Sequence, residues 1–282
     1  MADVGTWAKL AAYVVCIGLV LEFAHRVYWR INRWAMKLAT GPTLRAILSA
    51  LCATIPLISA LLVTWGFCTY VDRRSFESLG LQATFESTAV FVEGIAIAFA
   101  VVTLVFMAGY NFGWYKIERS SLSRHQVPSF CGGVCDFSMA AVFEEIAFRG
   151  YVFTVLSHTW GVTAAVVGSS LVFSLLHIIK HPKMPLIFTL NAFIFGVVTA
   201  QARLMTGALW ASIGLHFGWN LAMGPIYGLP CSGRVYDGGL VECQVEGPDW
   251  VTGGLYSPDA GIIGTGALTL TSFALAVLLH VC

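Results

Sequence analysis

Residues 88–110 read TAVFVEGIAIAFAVVTLVFMAGY, an apolar run in which Glu93 is the single charged side chain. A helix needs about 20 mostly apolar residues to cross the hydrocarbon core of a bilayer. Runs of similar length and polarity recur along the chain, at about 7–25, 46–68, 88–110, 135–157, 162–180, 185–203, 207–224 and 261–281. The sequence therefore predicts an all-α, polytopic membrane protein of about eight transmembrane helices.

The overall composition favours the same interpretation. Of the 282 residues, 57% are hydrophobic and 11% are charged, and the mean hydropathy is +0.78. Soluble domains are usually about one quarter charged. A net charge of +1 gives no basic excess, which argues against nucleic acid as a partner. We expect an integral, multi-pass protein whose surroundings are the lipid bilayer.

The spans divide the chain into four expected regions. These are N-terminal transmembrane helices in 1–70, a membrane core in 71–224, a polar loop in 225–260 and a C-terminal transmembrane helix in 261–282. The polar loop contains Cys231 and Cys243, which could form a disulfide if the loop faces an oxidising compartment.

Basic residues indicate which connections share a side of the membrane. Lys and Arg prefer cytoplasmic connections, and here they gather in the first, third and fifth. These residues are Arg26, Arg30, Arg33, Lys37 and Arg45, then Lys116, Arg119 and Arg124, then Lys180 and Lys183. Alternation of spans puts the seventh connection on that same side, although its one basic residue is Arg234.

Three spans carry polar side chains that a bilayer does not favour. The fourth contains FEEIAFRG at 143–150, the fifth FSLLH at 173–177 and the seventh HFGWN at 216–220. An ionisable side chain inside a span costs several kcal/mol unless it lines a cavity or finds a partner, so each one is a functional candidate. These spans together predict a polar cavity within the membrane.

The two adjacent acids of the fourth span are expected to have different roles. Glu145 and Arg149 are four residues apart, so they are neighbours on one helix face and can neutralise each other. Glu144 points about 100° away from Glu145. We therefore expect Glu145 and Arg149 to be structural and Glu144 to be a carboxylate able to act, while neutralisation of both acids by Arg149 or water stays an alternative.

The histidines and Asn220 complete the expected site. His216 and Asn220 are also four residues apart and present two hydrogen-bond donors to one point, as an oxyanion hole requires. Alternation of the spans puts Glu144, His177, His216 and Asn220 in the same leaflet, the one that faces the third and fifth connections. Either histidine alone is equally compatible with a satisfied core residue.

These residues resemble the signature of the CPBP family, the CAAX prenyl protease 2 and lysostaphin-resistance protein A-like membrane proteins. That signature is a double glutamate with an arginine four residues on, then a phenylalanine and a histidine four apart, then a histidine and an asparagine four apart. The matching residues are Glu144, Glu145 and Arg149, then Phe173 and His177, then His216 and Asn220. The resemblance extends to the stretch 73–81, which ends Leu79, Gly80, Leu81, and to Gly207, Ala208, Leu209 and Trp210.

The resemblance implies an intramembrane endopeptidase. In such an enzyme Glu144 and His177 would activate a water, and His216 with Asn220 would stabilise the oxyanion. The expected partner is a membrane-anchored or prenylated peptide or protein, and no cofactor is required. A zinc-dependent version stays open, because Glu144, His177 and His216 could form a two-His, one-carboxylate metal site. His181 also has metal-compatible spacing from His177, but Pro182 puts it at a helix end.

Two non-proteolytic functions remain as alternatives. Some proteins that resemble this family are associated with bacteriocin immunity, so an immunity or scaffold protein is one of them. A proton or ion carrier would use the same buried acids and histidines. It would need polar residues in the other leaflet, for which Glu93 is the main candidate. Asn191 in the sixth span could support the site indirectly, by orienting the residues that act in it.

Overall fold

The computed structural model describes residues 4–38, 40–124, 126–180, 184–231 and 238–281. His181, Pro182, Lys183 and Arg234 lie outside these ranges. The described chain is a bundle of helices. They are α1 (Val4–Leu38), α2 (Pro42–Gly66), α3 (Phe85–Asn111), α4 (Val127–Glu145), α5 (Phe153–Lys180), α6 (Leu186–Thr206), α7 (Leu209–Leu221), α8 (Asp249–Thr252) and α9 (Ile262–Val281).

Three of these helices continue into π-helical segments. These are Phe67–Val71 after α2, Ile146–Val152 between α4 and α5, and Ala222–Ile226 after α7. The second of them carries Arg149, so the polar residues of the fourth predicted span lie where the α-helix changes to a π-helix. π-helical turns inside α-helices are frequent at functional sites.

Among the described residues, six helices are long and apolar enough to cross a membrane. They cover Gly5–Ala35, Ala50–Val71, Phe85–Asn111, Val127–Ile179, Leu186–Thr206 and Ile262–His280. The fourth stretch, Val127–Ile179, contains two of the predicted spans. They are separated at Gly161, where the backbone leaves the helical conformation. The 13 residues of α7 are fewer than the roughly 20 that a span requires. The all-α, multi-pass fold is confirmed, and the exact number of eight spans is not established.

The chain reverses direction at Gly161, whose φ of 83° is one that residues with a side chain rarely adopt. On either side of it, the rings of Phe148 and Phe173 are 5.3 Å apart, and Gly168 lies against the Leu156 side chain. The two arms are therefore antiparallel. This hairpin brings the end of α4 and the end of α5, with Glu144 and His177, to the same level.

Helices α3 and α7 approach each other through glycines. A Cβ on Gly214 would lie 2.2 Å from the carbonyl oxygen of Phe91, and one on Gly218 would lie 2.7 Å from that of Ile95. Small residues at such positions let helix backbones pack closely in membranes. The two glycines flank His216, so this contact fixes the part of α7 that carries it.

The start of α7 is fixed by the turn that precedes α3. Gly80 adopts φ 90°, and its carbonyl oxygen accepts a hydrogen bond from the backbone N–H of Leu209 at 2.8 Å. Trp210 Nε1 donates to the carbonyl oxygen of Gln82 at 3.0 Å. The stretches around Gly80 and Leu209 are therefore in direct contact.

A two-stranded antiparallel sheet joins the third and seventh connections. It pairs β1 (Tyr115–Arg119) with β2 (Glu242–Val245). Arg119 Nε lies 2.9 Å from a carboxylate oxygen of Glu242 across the pair. The pairing places these two connections together, as a common side of the membrane would require. No bond joins Cys231 to Cys243, so the disulfide considered from the sequence is not formed.

Candidate active site

A cavity of about 150 Å³ opens between the helices, and the four predicted site residues all lie in its wall. Glu144 comes from α4, His177 from α5, and His216 and Asn220 from α7. The rest of the wall includes five aromatic rings. Its rings belong to Phe137, Phe173, Phe188, Phe195 and Trp219. Glu93 is exposed on α3 and is not part of the lining described.

Glu145 is fully buried beneath this cavity and contacts two cationic or basic groups. Its Oε1 lies 3.4 Å from Nη1 of Arg149, which is also fully buried. The predicted Glu145–Arg149 pair is therefore present. The same oxygen lies 2.8 Å from Nδ1 of His216, a contact between α4 and α7 that the sequence did not predict.

The Arg149 guanidinium has a second compensating contact. Its Cζ lies 4.4 Å from the centre of the Phe173 ring, an arrangement in which the ring attracts the cation. Two of its nitrogens, Nε and Nη2, have no hydrogen-bond partner among the described residues. Glu145 is thus its main counter-charge.

The contact with Glu145 determines how His216 can act. A carboxylate paired with an arginine accepts hydrogen bonds and does not donate them, so Nδ1 of His216 carries the proton of this bond. Nε2 is the nitrogen that remains for chemistry in the cavity. It lies 3.8 Å from Oε2 of Glu144, which is longer than a hydrogen bond.

The Glu144 carboxylate stands at the cavity surface. Its side chain is 16% exposed, whereas that of Glu145 is 0% exposed. The two neighbouring acids are thus separated as the helical geometry predicted, one turned to the cavity and one buried against Arg149. Glu144 is the one that a water in the cavity can reach.

His177 is oriented by its own helix. Its Nδ1 lies 2.8 Å from the carbonyl oxygen of Phe173, and since a carbonyl only accepts, Nδ1 is the donor. This bond assigns Nε2 as the nitrogen that can take up a proton. The ring also packs against Phe173 at 4.5 Å between centres.

Sequence analysis missed Asp259, which lies in the connection before α9 and also lines the cavity. Its Oδ1 accepts a hydrogen bond from Trp219 Nε1 at 3.0 Å. Burial raises the pKa of Asp259 to about 6, against the opposing effects of the Trp219 hydrogen bond and the charge of His216. An acid in a connection that is already polar gives no sequence signal, unlike an acid in a span.

Asn191, considered from the sequence as a supporting residue, contacts that same connection. Its Nδ2 donates to the backbone oxygens of Asp259 at 2.8 Å and Gly261 at 3.1 Å. Its Oδ1 accepts from Thr265 Oγ1 at 2.7 Å. Asn191 therefore attaches the connection before α9 to the middle of the bundle.

No metal site is preformed among the cavity side chains that the structure describes. In the part of the chain that the structure describes, no group of three His, Cys, Asp or Glu side chains is placed to hold a metal ion. Because Nδ1 of His216 donates to Glu145, Nε2 is the ring nitrogen that could bind a metal. A zinc site of Glu144, His177 and His216 therefore stays an alternative, which removal of metal by a chelator would test.

Comparison with known proteins identifies the central part of the chain. Residues 126–222 match the family model of the Rce1-like type II CAAX prenyl endopeptidases, and this segment includes all three motifs. No curated protein and no solved structure matches the chain. The match covers α4 to α7, which carry the four predicted site residues, and it ends before Asp259 and α9, which also contribute to the cavity wall. This chain is a multi-pass membrane protein whose residues 126–222 are similar to the Rce1-like type II CAAX prenyl endopeptidases.

Proposed function

We propose that this protein is an intramembrane endopeptidase in which Glu144 and His177 activate a water and His216 and Asn220 stabilise the oxyanion. The observation that carries the proposal is the convergence of these four side chains, from three helices, on one cavity inside an apolar bundle. The family match supports the reaction class.

Glu144 is the proposed general base. Its carboxylate faces the cavity, where it can take the proton of a water that attacks the substrate carbonyl carbon. His177 would hold the same water through Nε2, because its Nδ1 proton is engaged by the Phe173 carbonyl. A positioned base of this kind contributes roughly a hundredfold to ten-thousandfold in rate.

His216 and Asn220 are the proposed oxyanion donors. With the Nδ1 proton bound to Glu145, His216 can donate to a substrate oxygen through Nε2 when the ring carries both protons, and two carboxylates are adjacent to balance that charge. Asn220 makes no side-chain hydrogen bond to the described residues, so its amide is able to turn to a ligand. Loss of one oxyanion donor typically costs about a hundredfold to a thousandfold in kcat.

The proposed substrate is a membrane-anchored or prenylated peptide. The aromatic wall formed by Phe137, Phe173, Phe188, Phe195 and Trp219 suits an apolar segment. Such a wall also excludes bulk water, which strengthens electrostatic interactions inside the cavity.

The test is a cleavage assay of the purified protein in detergent or liposomes with a panel of membrane-anchored and prenylated peptides. Wild type is compared with Glu144→Ala, with Glu93→Ala as a control for an acid outside the cavity, and with a chelator-treated sample. We expect Glu144→Ala to lose cleavage and the other two samples to keep it.

Each alternative predicts a different result in this assay. Loss of cleavage with chelator, restored by zinc, would favour a metallopeptidase. The absence of cleavage of every peptide by wild type would contradict the proposal and favour the immunity or scaffold function. Proton flux across protein-containing liposomes, lost in both Glu93→Ala and Glu144→Ala, would favour an ion carrier.

A further inference from the structure

Asp259 is a second carboxyl group in the wall of the catalytic cavity, and the mechanism proposed above assigns it no role. It lines this space together with Glu144, His177 and His216. A cavity of about 150 Å³ holds only a few water molecules. A substrate bound next to Glu144 therefore shares one small space with Asp259.

The fold holds Asp259 in a defined position. The carbonyl oxygens of Asp259 itself and of Gly261 accept hydrogen bonds from Asn191, which is 2% exposed and reaches across from α6. Trp219 on α7 binds Oδ1 of the carboxyl group. Since Oδ1 accepts the indole N–H, a proton on this carboxyl group would reside on Oδ2.

The surroundings of Asp259 suit a proton donor. Burial in the cavity wall raises the pKa of Asp259 to about 6, whereas its ordinary value is 3.8. The other titratable groups that line the cavity are Glu144 from α4, His177 from α5, His216 from α7 and Cys231 from the connection before α9. Pairs of carboxyl groups that differ in proton affinity commonly divide the acid and base steps of a reaction.

Hydrolysis of a peptide bond needs both an acceptor and a donor of protons. The attacking water loses a proton, and the nitrogen of the scissile bond must gain one because an amide anion is a poor leaving group. Glu144 is the acceptor in the proposed mechanism. A separate proton donor close to the leaving nitrogen would complete the mechanism.

We propose that Asp259 donates this proton, from Oδ2 to the leaving amine nitrogen. Water adds to the carbonyl carbon as its proton passes to Glu144. The C–N bond then breaks, its electron pair goes to nitrogen, and nitrogen takes the proton of Asp259. Transfer of the proton from Glu144 to Asp259, directly or through cavity water, restores both groups. This inference rests on the peptidase activity proposed above.

The test compares two substrates that differ only in the leaving group, a peptide with a scissile amide and the same peptide with a 4-nitrophenyl ester in its place. A nitrophenolate leaves without being protonated. We expect Asp259→Asn to slow amide cleavage by about a hundredfold or more and to leave ester cleavage nearly unchanged. Wild-type amide cleavage should decline above about pH 6, and this decline should be absent in Asp259→Asn.

Asp249→Asn is the matched control, since Asp249 is an exposed aspartate in the same connection. It should cleave both substrates as wild type does. Equal slowing of amide and ester by Asp259→Asn would show that Asp259 acts by position alone and would overturn the proposal, as would the absence of any slowing. If wild type cleaves neither substrate, the peptidase activity itself is refuted and the inference falls with it.

Discussion

Glu144 and Glu145 are neighbours in sequence with opposite surroundings. Glu144 meets the cavity, and Glu145 is sealed between Arg149 and His216. Breaking a buried ion pair by removing one partner costs about 3–5 kcal/mol, because the other charge is left uncompensated. A carboxylate at a cavity surface has no such structural role. The two acids should therefore respond differently to the same substitution.

Glu145→Gln should lower the unfolding temperature and reduce peptide cleavage together, since it leaves Arg149 without its counter-charge. Glu144→Gln should abolish cleavage and leave the unfolding temperature close to that of wild type. Thermal unfolding in detergent, followed by intrinsic fluorescence, provides the comparison. Equal melting temperatures for the two variants would contradict the structural role of Glu145.

Sequence reasoning at this scale succeeded where a polar residue stood out against an apolar span. Glu144, His177, His216 and Asn220 were predictable for that reason. The contact between Glu145 and His216 was not, because it depends on how α4 and α7 are rotated against each other. Asp259 was not predictable either, since an acid in a polar connection is ordinary until the fold carries it to the cavity.

At the scale of elements, the contact between α3 and α7 determines where two of the site residues lie. The backbones are so close at Gly214 and Gly218 that an added Cβ would meet backbone carbonyl oxygens of α3. Backbone atoms cannot turn aside as a flexible side chain can. Any larger residue must therefore move α7, and with it His216 and Asn220.

Gly214→Ala should destabilise the protein by about 1–3 kcal/mol through overpacking. It should also reduce cleavage by about a hundredfold, the typical effect of a 1 Å displacement of catalytic groups. Gly266→Ala in α9 is the control, because a Cβ there has nothing within 4 Å. Unfolding temperature and kcat/KM are measured for both. If Gly214→Ala behaves like Gly266→Ala, the close approach of α3 and α7 is refuted.

The number of spans was harder to predict than the presence of transmembrane helices. Hydropathy located every long apolar stretch, but it does not show where one stretch is divided into separate helices. Gly161 reverses the chain inside Val127–Ile179, and α7 is helical over only 13 residues before it widens into Ala222–Ile226. The reversal at Gly161 depends on packing around Leu156 and Gly168. The length of α7 depends on its packing against α3.

At the scale of the whole molecule, two connections that are distant in sequence are joined at the same end of the bundle. β1 and β2 join the third connection to the seventh, and the seventh continues to Asp259 at the cavity wall. The sequence predicted that these connections share a side, from the alternation of spans. Their pairing could not be predicted, because two short strands far apart in sequence carry little signal of register.

This pairing predicts a disulfide that the natural sequence does not form. Ile117 and Cys243 are opposite each other in the sheet. Opposite Cα atoms in antiparallel strands are about 4.5–5.5 Å apart, which lies within the range of about 4.4–6.8 Å that disulfides span. Ile117→Cys should therefore cross-link to Cys243. Burial raises the pKa of Cys243 to about 11, so the oxidation needs alkaline conditions to populate the thiolate.

The cross-link is counted as two thiols lost to labelling with a polyethylene-glycol maleimide after denaturation. Lys116→Cys is the matched control, because residue 116 pairs with Gln244 and its side chain points to the opposite face of the ribbon from Cys243. We expect thiol loss in Ile117→Cys and none in Lys116→Cys. If Ile117→Cys keeps all its thiols, the third and seventh connections do not pair in this register. The connection that presents Asp259 would then be held to the bundle by contacts such as those with Asn191 and Trp219, and not by the sheet.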